Sequence, residues 1–140
     1  MTRYIYNIQQ CCAAGQAGLS DRKIVLIIDD TPLNIKILSD ALKEDYRILV
    51  APNGERGLEL ARGQNTPDAI LLDIMMPGMD GFEVCRRLKS DDATSGIPVM
   101  FITAMEKGAD EKKGRELGAA DFILKPFSIP DLKKRIIKVL

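Results

Sequence analysis

Three aspartates, a threonine and a lysine stand at the ends of apolar runs in this 140-residue chain. The run KIVLIID (23–29) ends on Asp29 and is followed by Asp30, and AILLD (69–73) ends on Asp73. IPVMFITA (97–104) carries Thr103 beside its end, and DFILKP (121–126) carries Lys125. An ionised carboxylate at the edge of a buried strand is costly unless something compensates it. Three of them together raise one another's pKa. A hard divalent cation such as Mg²⁺ relieves that repulsion, since it takes oxygen ligands and commonly one or two carboxylates. Lys125 adds a second positive charge and Thr103 a hydroxyl. Acids, a cation, an ammonium and a hydroxyl suit phosphoryl chemistry, in which stabilising charge on the transferring group is most of the task. Asp73, the central member, is the candidate nucleophile, because carboxylates form aspartyl-phosphates.

The composition narrows the field further. The chain has no histidine, which removes Ser-His-Asp and Cys-His pairs, His-ligated metals and phosphohistidine on this chain. Lys plus Arg (20) equals Asp plus Glu (20), so no global basic field favours nucleic acid or anionic lipid. No apolar stretch approaches the roughly 20 residues of a membrane span, and the N-terminus lacks the apolar centre of a secretory signal. A cytoplasmic location follows. Cys11, Cys12 and Cys85 form no CxxC spacing and no even set, which points away from zinc and from a disulfide framework. Cys85 reads as a small buried residue.

The elements that must position these groups are legible as five short runs rich in Ile, Val and Leu: 23–29, 46–52, 69–73, 97–104 and 121–126. Continuous apolar character is what strands buried on both faces show. Amphipathic stretches lie between them. The first opens on Asp30-Thr31-Pro32, capping residues followed by proline at the first helical position, and places Ile35, Leu38 and Leu42 on one face. Further helices are expected over 54–61, 82–89 and 109–117. The last begins at Ser128 with a capping-box pattern to Asp131 and buries Leu132, Ile136 and Val139. Alternating strands and helices imply an α/β fold: a flavodoxin-like, doubly wound, five-stranded parallel sheet of order 2-1-3-4-5 with helices on both faces. In that order the strands bearing Asp29-Asp30, Asp73, Thr103 and Lys125 are consecutive. Their spacing of about 4.8 Å spreads the set over roughly 14 Å, a span that inward-leaning side chains and one long lysine can close. Residues 1–22 show no clear period and read as an N-terminal extension; 23–140 form the domain.

Residues 23–140 resemble the receiver domain of bacterial two-component response regulators. The matching pieces are IIDD (27–30), LLDIMMPGMDG (71–81), ITA (102–104) and KPF (125–127), in the family's order and on the expected strands. The resemblance implies that Asp73 accepts a phosphoryl group from a phosphohistidine on a partner histidine kinase or phosphotransfer protein. It implies that Asp30 and Asp73 ligate Mg²⁺ directly, Asp29 through water, and Met75 by its backbone carbonyl. Thr103 would hydrogen-bond the phosphoryl oxygens, Lys125 would pair with them, and Phe122 stands at the family's switch aromatic. A cis bond before Pro126 is likewise implied. Phosphorylation adds about −1.5 to −2 charges at Asp73, draws in Thr103 and Lys125, and lets Phe122 turn inward past the small Ala104. The surface of the fourth and fifth helices and fifth strand would then change by population shift. That surface is also the expected route to a homodimer.

The resemblance implies a signalling domain that assists its own phosphorylation and slow dephosphorylation, not a turnover enzyme. In the family, the positions of Met75 and Met105 border the path of attacking water, so two apolar side chains there are expected to lengthen the phosphoryl lifetime. Lys133, Lys134, Arg135 and Lys138 give the last helix a basic face, and a periodic helix running to Leu140 without a stop signal suits either a stand-alone receiver or one followed by an output domain. Thr31-Pro-Leu-Asn34 resembles receivers found before cyclic-dinucleotide enzymes and in hybrid kinases. Other readings stay open here. A phosphorylation-independent interaction module would use the same fold. A phosphatase of the haloacid dehalogenase type would need Asp-x-Asp where Asp29-Asp30-Thr31 stands. An FMN binder would need a Ser/Thr-rich phosphate loop.

Overall fold

The computed structural model describes residues 22–104 and 108–140. Cys11, Cys12, Met105 and the proposed extension up to residue 21 lie outside the described residues. Five apolar runs form the strands β1 (Ile24–Ile28), β2 (Arg47–Ala51), β3 (Ala69–Leu72), β4 (Val99–Thr103) and β5 (Asp121–Leu124). They make one parallel sheet in the order β2-β1-β3-β4-β5. The helices are α1 (Pro32–Leu42), α2 (Gly54–Ala61), α3 (Gly81–Ser90), α4 (Gly108–Glu116) and α5 (Ile129–Val139). The expected order and helix positions hold to within a residue or so at each end.

Alternation along each strand divides the core into two layers. Leu26, Ile28, Ile70, Leu72, Val99 and Phe101 join Leu58, Val84, Cys85 and Leu88 from α2 and α3 on one face. Val25, Ile27, Leu71, Met100, Ile102 and Ile123 meet Ile35, Leu38 and Leu42 of α1 and Leu132 and Ile136 of α5 on the other. Both faces are therefore covered, which is why these runs read as unbroken apolar stretches. Cys85 is fully buried, and burial pushes its thiol up to about 11. Val139, expected in the core, is only half-buried against it.

The helix starts show where local chemistry was read correctly and where it was not. Asn53, Asp80 and Ser128 each accept a hydrogen bond from the backbone N–H three residues on, at 2.8, 2.9 and 3.1 Å. At Ser128 the capping box is only half made, because the Asp131 carboxylate turns to Arg135 at 3.1 Å. At α1, Pro32 occupies the first turn as expected, but Thr31 makes no side-chain cap bond. Its backbone N–H instead donates to Asp29 Oδ1 at 2.9 Å. What looked like a cap serves to hold a carboxylate.

Candidate functional site

Strand register sets the site. Ile28 pairs with Leu72 across β1 and β3, so Asp29 and Asp73 leave neighbouring strands at the same level. Leu72 pairs with Phe101, which puts Thr103 one residue further along β4. Thr103 pairs with Leu124, and the Lys125 N–H donates to the Thr103 carbonyl at 2.8 Å. Four consecutive strands thus deliver their polar ends to one edge. Carboxylate oxygens of Asp29, Asp30 and Asp73 lie within 4.8 Å of one another. Lys125 crosses from β5 to bring Nζ to 3.8 Å from Asp29 Oδ2. Asp29 and Thr103 are buried, Asp73 is 8% exposed and Asp30 is open to solvent. The Lys125–Pro126 bond is cis, as the resemblance implied.

This setting raises Asp73 from 3.8 to about 6. Burial is the largest cause and the charge of Asp29 the next; Lys125 and a backbone hydrogen bond from Ile74 pull the other way, and Asp30 adds a smaller push. A carboxylate made reluctant to ionise by two neighbouring carboxylates is the setting that a hard cation offsets. The donor set is all oxygen and fits such an ion. Lys125 sits against Asp29 and could turn to an anion arriving at Asp73.

Two contributors were not read from the sequence as part of the site. Thr31 fixes one oxygen of Asp29 through its backbone N–H. Gly81, which appeared only as the last residue of the matching stretch 71–81, lies directly against the backbone of Asp73. A Cβ at position 81 would fall 2.2 Å from the Asp73 carbonyl oxygen and 2.7 Å from Ile74 Cα. Its N–H donates to the Ile74 carbonyl at 2.8 Å. The only signal in the sequence was the glycine after Asp80, which turn chemistry explains equally well.

Other expected participants fall nearby. Met75 is 66% exposed in the loop between β3 and α3, and with Ile74, Met76, Pro77, Phe82 and Lys113 it borders a shallow groove beside the acids. Phe122 is buried against Phe101, with ring centroids 5.8 Å apart. The ring therefore does not start from solvent, and any switching movement begins from a packed position.

A sequence model of the response regulator receiver domain matches residues 25–137. The chain belongs to that family. It is 46% identical over 112 residues to a probable cyclic di-GMP phosphodiesterase of Vibrio cholerae serotype O1. That match takes in 80% of this chain and 25% of the relative. It is 41% identical over 117 residues to protein PilH of Pseudomonas aeruginosa, taking in 83% of this chain and 96% of PilH. The receiver fold superposes on Vibrio cholerae chemotaxis protein CheY4 with a TM-score of 0.80 at 27% identity, covering 85% of this chain and 99% of CheY4. The chain thus spans about a quarter of the first of these relatives and nearly all of the other two. Among the described residues, no helix of this receiver is long and apolar enough to cross a membrane.

Proposed function

We propose that residues 23–140 are a cytoplasmic phosphoacceptor unit, preceded by an extension at 1–22, in which Asp73 receives a phosphoryl group from a histidine kinase or phosphotransfer protein. The observation that carries this reading is the gathering of Asp29, Asp30 and Asp73 within 4.8 Å at the strand ends, with Lys125 against Asp29. In the transfer, an Asp73 carboxylate oxygen attacks phosphorus, the acyl phosphate O–P bond forms, and the P–N bond to the donor imidazole breaks. The histidine comes from outside these 140 residues, which contain none. Asp30, Asp73 and the Met75 carbonyl, with Asp29 through water, are the groups that would hold Mg²⁺. When bound, that ion supplies charge to offset the acids and the phosphoryl oxygens. Thr103 donates its hydroxyl to a phosphoryl oxygen, and Lys125 leaves Asp29 for the new anion.

The readout in this proposal is a shift of α4, β5 and α5, with Phe122 repacking, passed to an output domain, a partner or a second copy. Neither nucleic acid nor membrane is engaged directly. The similarity to a cyclic di-GMP phosphodiesterase, together with Thr31-Pro-Leu-Asn34, favours a cyclic-dinucleotide enzyme as that output.

The test is intact mass after incubation with Mg²⁺ and acetyl phosphate. One phosphate adduct per chain, lost in Asp73→Asn and without Mg²⁺, is the expected result; its absence from the parent, or rapid turnover of phosphate esters, overturns the reading. The same assay addresses lifetime. Replacing Met75 or Met105 by Asn is expected to speed decay of the adduct by about two- to tenfold, by giving water a polar foothold beside the acyl phosphate. Unchanged decay in both variants would remove the two methionines from the mechanism.

A further inference from the structure

Residues 111–116 of helix α4 contribute little apolar surface of their own. Residues 111–116 read Glu-Lys-Lys-Gly-Arg-Glu, without an apolar side chain, and a helix polar on all sides does not hold by burial. What it rests on is a row of three rings. Phe82 from the first turn of α3, Phe101 from β4 and Phe122 from β5 are all buried. Their centroids are 5.5 and 5.8 Å apart in succession, with ring planes tilted by 59° and 52°. Gly114 lays the helix backbone on this row: a Cβ there would lie 3.0 and 3.1 Å from Phe101 ring carbons and 3.5 Å from Phe122. One residue earlier, Lys113 places Nζ 4.6 Å from the centre of the Phe82 ring. That is within cation–π range.

Phe82 is bonded to Gly81, the residue pressed against the Asp73 carbonyl. We propose that the Lys113–Phe82 contact is a latch that holds α4 in this seating and ties it to the strand end bearing Asp73. This route starts at the loop after β3 and not at Thr103, and it meets Phe122 through the Phe101 ring that lies between the two. A displacement of the loop after β3 moves the ring beneath Lys113, and linkage requires that the seating of α4 act back on the loop. Because residues 111–116 bring no apolar side chain and the nearest one, Leu117, follows the helix, one such contact matters to how firmly α4 is held. The part of the proposal that concerns phosphorylation rests on the phosphoacceptor reading; the latch itself does not.

Amide hydrogen exchange on the full chain tests it. In the unphosphorylated protein, Lys113→Gln is expected to speed exchange in α4 by about threefold or more, with strand amides unchanged as the control for global stability. Lys113→Arg keeps the parent rates, since a guanidinium also binds a ring face. Phe82→Leu reproduces the acceleration, and the Lys113→Gln/Phe82→Leu double variant goes no further than either single one. Parent rates in Lys113→Gln, or effects that multiply in the double variant, overturn the latch. With acetyl phosphate and Mg²⁺, α4 exchange in the parent changes as the adduct forms, and Lys113→Gln responds less; equal responses overturn the link to Asp73. Failure of the adduct to form in the parent overturns the phosphoacceptor reading and leaves the latch to be decided by the first measurement.

Discussion

Asp73→Asn is expected to make the metal-free protein more stable than the parent at pH 7, by about 1–2 kcal/mol. The native carboxyl titrates near 6, against 3.8 for an ordinary aspartate, with burial the chief cause and the Asp29 charge the next. Between those two values the folded chain holds a proton that the unfolded chain has released. Stability must therefore fall as pH rises through that window, and the whole penalty is present above it. The rise from 3.8 to about 6 corresponds to at most about 3 kcal/mol. Solvent at the open Asp30 side screens part of it, which leaves the smaller figure. Urea unfolding in a chelator at several pH values checks this. The parent should weaken from pH 4.5 to 7 more steeply than the variant, and the two curves should converge at the acid end. Added Mg²⁺ should then stabilise the parent more than the variant, because the ion binds the folded carboxylate set and the variant has lost one member. A variant less stable than the parent in chelator would mean that neither burial nor the neighbouring acids penalises the Asp73 charge, and this argument for a cation among them would fail with that result.

The same penalty explains why this site was visible in the sequence. A carboxylate closing an apolar run contradicts the core around it, and two such contradictions, at Asp29 and Asp73 on strands that the topology makes neighbours, have few structural explanations. The strands were legible because both faces of the sheet are covered, so Leu26, Ile28, Leu71 and Leu72 needed no polar alternation. Relations made only through space were not legible. Nothing in the types or spacing of Lys125 and Asp29 says that the ammonium rests 3.8 Å from that carboxylate and not against Asp73. Thr31 has the profile of a helix cap, and its use of a backbone N–H on Asp29 depends on how the chain turns out of β1. Helix α4 has little apolar periodicity over 111–116 for a physical reason: its seat is made by Phe82, Phe101 and Phe122 from three other elements, and Gly114 is the residue it lays on them. Periodicity detects the apolar side chains a helix supplies, not those it borrows.

Gly81 is the position where that blindness has the largest consequence. Gly81→Ala is expected to destabilise the protein by about 3 kcal/mol, and to slow formation of the phosphate adduct by tenfold or more at temperatures where the variant is still folded. The added methyl would meet the Asp73 carbonyl oxygen at 2.2 Å, Ile74 Cα at 2.7 Å and the Asp73 carbonyl carbon at 2.9 Å. All three are backbone atoms, so no side-chain rotation relieves the clash. Either the start of α3 lifts away, breaking the 2.8 Å bond from Gly81 N–H to the Ile74 carbonyl, or the end of β3 moves and takes the Asp73 carboxylate with it. A shift of about 1 Å at a reacting group is enough to cost two orders of magnitude in rate. Asp80→Ala is the comparison that separates the two effects. It removes the cap bond to Glu83 N–H for about 1 kcal/mol without crowding Asp73, so the adduct should form at close to the parent rate. Urea unfolding and the time course of the intact mass read both quantities. Equal losses of adduct rate in the two variants would show that α3 matters to Asp73 only through general stability, whereas a selective loss in Gly81→Ala would show that the missing side chain is what sets Asp73 in place.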